Sequence, residues 1–158
     1  MRVAIDDIEI IKVAGSTINV NTTAYADNDL VGDQFEIDVG HIGKGVLLQG
    51  ITIHDPDSQS AVFEIIIFGK NPSGSTFTNN SAVTVVDADL PSIQAYAEVA
   101  AADYIAFADN SIAMVKDLAL PLKSEEGNKY FVIFRSNGST PTYAADALSA
   151  TFLFLLAS

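Results

Sequence analysis

From Ala150 to Ala157 the sequence stays apolar for eight residues, with only Thr151 inside the run. That is far short of the ~20 residues an apolar helix needs to cross a bilayer. Its centre, Phe152-Leu153-Phe154-Leu155-Leu156, also lacks the polar alternation of a half-solvated strand. It reads as a closing, central strand covered on both faces, by a second sheet on one side and by a neighbouring subunit on the other. The rest of the chain is built the same way, from short β-branched and aromatic runs bounded by Gly, Pro, Asn and Asp, with little 3.6-residue periodicity. Segment 34–39 alternates without a fault, which sends Phe35, Ile37 and Val39 inward and leaves Glu36 and Asp38 in water.

The other expected strands fall at 8–13 and 16–21 (either a pair or one strand interrupted at Gly15), 45–54, 61–68, 96–105 with a bulge, 111–122 and 129–135. The turn His54-Asp55-Pro56-Asp57-Ser58 is expected to close a hairpin. Residues 69–82 are rich in Asn, Ser, Thr and Gly and too long for a hairpin turn, so they form a surface excursion pinned by Phe77. Asp87 and Asp89 ahead of Pro91 suit a short helical turn between Val86 and Gln94. The expected fold is all-β: a two-sheet antiparallel sandwich of jelly-roll or Greek-key type, with residues 1–22 as an N-terminal strand or arm and 23–158 as the sandwich domain.

A chain of 158 residues carries one domain of ordinary size and buries a core without staples. Hydrophobic residues make up 49% and charged residues 18%, which argues for more apolar surface than one core uses and hence for oligomerisation. Eight Lys and Arg against 20 Asp and Glu give a net charge of -12. Nucleic-acid phosphates and anionic lipid surfaces repel such a chain, so neither is an expected partner. Cysteine is absent, which removes disulfides, thiol catalysis and thiolate metal sites. No targeting segment is expected, because Asp6 and Asp7 follow Met1–Ile5 before a signal-like apolar region builds.

Candidate chemistry is sparse. Asp27-Asn28-Asp29-Leu30-Val31-Gly32-Asp33 places carboxylates at positions one, three and seven and Gly at six of a calcium-type loop, but position five is Val31 and position twelve is Asp38 rather than Glu. A solvated Asx-rich turn explains it better. Asp55 with Asp57, and Asp87 with Asp89, read as turn acids that cap backbone amides rather than as acid/base pairs. His41 and His54 have no metal-ligand spacing, and the Gly-Ser pairs at 15, 74 and 138 lie in no nucleophile elbow. The Asn-x-Ser/Thr matches at Asn21, Asn79 and Asn137 are expected to be chance. No enzyme activity, cofactor or metal is expected.

Several stretches resemble a family of small virion structural proteins of tailed bacteriophages. They are residues 24–32 (AYADNDLVG), 77–82 (FTNNSA), 103–113 (DYIAFADNSIA), 120–122 (LPL) and 140–143 (TPTY), whose order and spacing carry the likeness. Residues 1–22 fall outside these motifs, and the loop from Gly40 to Gly45 holds His and Lys in place of small polar residues. The resemblance implies a virion component, a capsid decoration (cement) protein assembled in the host cytoplasm and carried on the capsid exterior, with the major capsid protein as partner and a homotrimer as its symmetry. The rival readings are a tail, neck or receptor-recognition component of the virion and an unrelated ligand-binding jelly roll. The apolar segment Val3, Ile5, Ile8, Ile10, Ile11 and Val13 is the candidate capsid or subunit interface: it either adds a strand to a neighbouring edge or completes its own sheet.

Overall fold

The computed structural model describes residues 8–40, 45–145 and 147–157. Ten strands lie among them: β1 (Ile8–Ile18), β2 (Phe35–Asp38), β3 (Gly45–Asp55), β4 (Phe63–Phe68), β5 (Ile93–Val99), β6 (Tyr104–Ala106), β7 (Ser111–Val115), β8 (Leu120–Lys123), β9 (Lys129–Ser136) and β10 (Leu148–Ala157). All pair antiparallel. A six-stranded sheet runs β1-β10-β3-β7-β6, with β8 also on β3, and a four-stranded sheet runs β2-β9-β4-β5.

β7 and β8 lie along the same edge of β3, against Ile51–Asp55 and Gly45–Leu48 in turn, and so act as one interrupted strand. Leaving out the short edge strand β6, eight strand positions remain, ordered 1-8-3-6 in one sheet and 2-7-4-5 in the other. That winding, two Greek keys folded over each other, is the jelly roll. The sandwich expected from the sequence is the fold observed.

Alternation explains the core. β10 turns Leu148, Ala150, Phe152, Phe154 and Leu156 into the sandwich, where they meet Ile37, Phe63, Ile65, Tyr130, Val132 and Phe134 of the facing sheet in one buried cluster. A tilted ring pair links the layers, Phe35 with Phe152 at 6.1 Å, and Phe35 also meets Phe134 of its own sheet at 5.7 Å. β10 sits between β1 and β3, as a central strand should.

Three expectations about connections are corrected. The turn at 54–58 closes no hairpin, because β3 and β4 belong to different sheets and the chain crosses the sandwich there. Turn chemistry is the same for a hairpin and a crossover, so residues alone do not separate them. Segment 96–105 is not one bulged strand: β5 ends at Val99, a 3-10 turn covers Ala101–Asp103, and β6 joins the other sheet. Asp103 makes that corner by accepting the Ala100 backbone N–H at 2.8 Å. Segment 111–122 breaks at 116–119, where Asp117 and Ala119 take positive φ of 56° and 48° and the Leu118 N–H donates to the Gln49 carbonyl at 3.1 Å. β3 carries the matching irregularity, its register with β10 slipping between Leu48 and Gly50. A Cβ on Gly50 would stand 3.0 Å from the Val115 carbonyl oxygen, so the close approach of the two strands favours glycine there.

The short helical turn is present at Leu90–Ser92 with Pro91 inside it, but no side chain caps it. The Asp89 carboxylate instead accepts the Ser75 hydroxyl at 2.7 Å and ties the turn to the 69–82 excursion. Segments 8–13 and 16–18 form one strand, β1, with a register shift between Val13 and Ser16, and residues 19–21 of the expected strand fall beyond its end.

Candidate functional site

The acids picked out in the sequence are spread apart by the fold, and four of them, Asp27, Asp29, Asp55 and Asp57, accept backbone N–H groups. Asp55, 1% exposed, accepts the N–H groups of Asp57 at 3.2 Å and Ser60 at 2.7 Å and the Ser111 hydroxyl at 3.1 Å, which lets Ser58 and Ser60 hold their positive φ. Asp57 accepts the Ala144 N–H. In the calcium-like loop, Asp27 accepts the Gly138 N–H at 2.8 Å and Asp29 that of Ala26 at 2.8 Å, so these carboxylates serve separate turns. Asp87 is exposed. His54 faces Ser149 at 3.4 Å, and His41 lies outside the described residues. Among the described residues, no three His, Asp or Glu side chains stand close enough to hold a metal ion.

Asn79, one of the glycosylation-type matches, is an internal clasp. Its Oδ1 accepts the Tyr25 hydroxyl at 2.8 Å and the Gly32 N–H at 3.2 Å, while its Nδ2 donates to the Asn19 carbonyl at 2.6 Å. Asn80, at φ 60°, donates to the carbonyls of Thr23 and Ala24. Together they lock loop 19–33 against the 69–82 excursion. In the sequence Asn79 reads only as a chance glycosylation-type match; the signal for its role was two adjacent asparagines in a loop, a pair suited to αL backbone and to satisfying neighbouring peptide groups.

The locked excursion covers the outer face of the four-stranded sheet. Phe77, Val83 and Val85 pack with Leu30 on Ile66, Phe68 and Ile133, and the rings of Phe77 and Phe68 lie 6.0 Å apart. Phe77 is the pin expected from the sequence.

The outer face of the six-stranded sheet has no such cover among the described residues. Strand register sets apolar side chains there in rows. Ile10, Leu155, Leu47 and Pro121 form one row across four strands, and His54, Ile112 and Ile105 form another at the opposite end, with Met114 beside it. Ile10 is 66% exposed, Ile105 53% and Phe107 60%, while Leu47, Leu153 and Leu155 are half-buried. Three open depressions mark this face: about 540 Å³ beside Leu47, Leu155 and Lys123, about 270 Å³ beside Gly50, Leu153 and Met114, and about 470 Å³ beside His54, Ile105 and Phe107. Among the described residues no Asp or Glu takes an outward register position in this sheet, whereas Glu36, Asp38, Glu64 and Glu98 do so in the other.

Of the candidate interface residues, Ile8, Ile10, Ile11 and Val13 lie on β1 and pair along β10, so the segment completes its own sheet as the edge strand. Val3 and Ile5 lie outside the described residues. The outward row that Ile10 joins was missed as a surface, because its members come from four distant segments.

Fold and surface together define an acidic jelly-roll module with one sheet face whose described outward strand positions carry apolar rows and no Asp or Glu. No protein-family model matches the chain, and no curated protein matches it.

Proposed function

We propose that this chain is a virion structural protein, a capsid decoration (cement) subunit that binds the outer surface of a bacteriophage head through the major capsid protein. The observation that supports this reading is the outer face of the six-stranded sheet, whose described outward strand positions carry rows of apolar side chains and no Asp or Glu on a chain whose net charge is -12. A monomeric soluble protein rarely leaves a contiguous apolar patch of several hundred Å² open, and such patches mark surfaces meant for protein. The depressions on this face are shallow and border on solvent, a shape suited to side chains of a partner. At its border runs β1, an eleven-residue strand with no described strand along its outer side, which can accept a strand from a shell protein. The likeness of the 24–32, 77–82 and 103–113 stretches to phage virion proteins supplies the identity of the particle.

The test is to mix the purified protein with capsids lacking it and look for added density by cryo-EM. Ordered density on the outer shell at threefold or quasi-threefold positions is the expected result. Bare shells, with the protein found on tails or necks, would replace this reading by the tail, neck or receptor-recognition one.

A further inference from the structure

We propose that the outward face of the six-stranded sheet is the surface on which a second copy of this chain docks. The inference rests on the face alone and stands without the virion reading; with the face closed by a second copy, the capsid contact falls to the edge strand β1 at its border.

Four observations point to this occupant. The first is charge. With 20 acidic residues and a net charge of -12, two copies that meet on most of their surface set carboxylate against carboxylate. The outward register positions of this sheet are free of Asp and Glu among the described residues and include Lys12 and Lys123, so here two such chains can close without setting carboxylate against carboxylate. The second is area. Four strand columns of about ten residues, with the short β6 beside them, span on the order of 700 Å² at ~4.8 Å between strands and ~3.4 Å per residue. Two copies would bury roughly 1,400 Å², inside the range of stable specific interfaces.

The third is the treatment of the opposite face. The chain spends its longest loop, with Phe77, Val83 and Val85, on covering the outer side of the four-stranded sheet. Among the described residues no such cover lies over the Ile10–Leu155–Leu47–Pro121 row, although that row is as apolar. The fourth is the rim. Lys116 and Asp117 stand side by side at the β7–β8 break, next to Gly50 and Leu153, so the border carries both signs and can pair with its own copy. The low ground at Gly50, between the aliphatic row and the Met114–Ile112 end, gives a facing leucine somewhere to sit.

Light scattering of the full chain across a dilution series tests this, with Leu155→Lys, Met114→Lys and Ile10→Lys alongside and far-UV circular dichroism as the fold control. Wild type should scatter as a multiple of 16.7 kDa. Each folded variant should raise the dissociation constant by roughly a hundredfold, the scale of a charge set into the middle of an interface. Leu155 is on a central strand and its variant can fail to fold; Met114 and Ile10 are exposed, and their variants keep the test open. A wild type that stays a single chain at every concentration overturns the proposal, as does an oligomer that all folded variants leave intact. A single chain that still decorates capsids would overturn this inference and leave the virion reading standing. An oligomer that ignores capsids would do the reverse.

Discussion

Asn79→Ala should cost this protein about 2–3 kcal/mol, and most of that cost should pass through Tyr25. The side chain of Asn79 makes three hydrogen bonds to two other segments: from the Tyr25 hydroxyl, from the Gly32 N–H and to the Asn19 carbonyl. A net ~0.5–1.5 kcal/mol for each brackets the loss at about 1.5–4.5 kcal/mol. Water replaces part of it, because the contact to Asn19 lies at the surface, while the Tyr25 ring is 1% exposed and its hydroxyl keeps only the Asn21 N–H as a donor. Middle values are therefore expected, and for a chain of this length they lower Tm by roughly 5–10 °C. Tyr25→Phe alone should cost about 1 kcal/mol. In the double variant the two costs should fall short of their sum by about 1 kcal/mol, the coupling of one part-buried hydrogen bond. Urea unfolding of the four proteins, followed by far-UV circular dichroism with a common m-value, measures the cycle. Strict additivity would refute the clasp, and an Asn79→Ala variant as stable as wild type would refute the loop lock altogether.

Phe77→Ala should destabilise by about 2–3 kcal/mol and release residues 71–86 to hydrogen exchange while β7 stays protected, since Phe77 seats that loop on Phe68; equal protection in both proteins would contradict the seating. Gly32→Ala should be among the most damaging small substitutions, because Gly32 holds φ +78° and a Cβ there would stand 2.3 Å from Ile18 Cγ2; a thermal melt unchanged from wild type would count against it. Alkaline pH should unfold the chain before its tyrosines titrate freely. Burial raises the hydroxyls of Tyr25, Tyr104, Tyr130 and Tyr143, and burial with the Glu64 partner lifts Tyr96 to about 12. A folded pKa above the unfolded value of about 10 means that this stability is whole below pH ~10 and is lost as pH climbs past it. With no Trp in the chain, tyrosinate absorbance reports the transition cleanly; a reversible rise near pH 10 from a still-folded protein would sink the prediction.

Strand content was legible because period-2 alternation is written in single segments: Phe35 and Ile37 turn toward the core and Glu36 and Asp38 away, as their spacing demands. Connectivity was less so. The Asp55-Pro56 turn has the residues of a hairpin, yet whether a turn returns to its own sheet or crosses to the other depends on partners a hundred residues away, such as Ser149 against His54. The break at 116–119 was invisible for a related reason. Lys116-Asp117-Leu118-Ala119 has no glycine to announce its positive φ, and the cause is the slip in β3 opposite. The candidate surface was hidden furthest, since Ile10, Leu47, Pro121 and Leu155 become neighbours only once β1, β3, β8 and β10 are in register.

The apolar surplus in the composition now divides into three places. One part fills the sandwich, and a second forms the small cluster of Leu30, Ile66, Phe68, Phe131 and Ile133 beneath the long loop. The third lies open on the six-stranded sheet. β10 shows why a single strand signals this: its inward Phe152, Phe154 and Leu156 are buried by the facing sheet, while its outward Leu153 and Leu155 are only half-buried by their neighbours. A strand with one wet face gains nothing from leucine on the wet side and risks edge-to-edge or face-to-face aggregation. Leucines kept there, on a face whose described outward strand positions hold no acid, make sense if the face is dry in the working assembly. The same five-residue run that marks the core strand thus points past the boundary of the single chain.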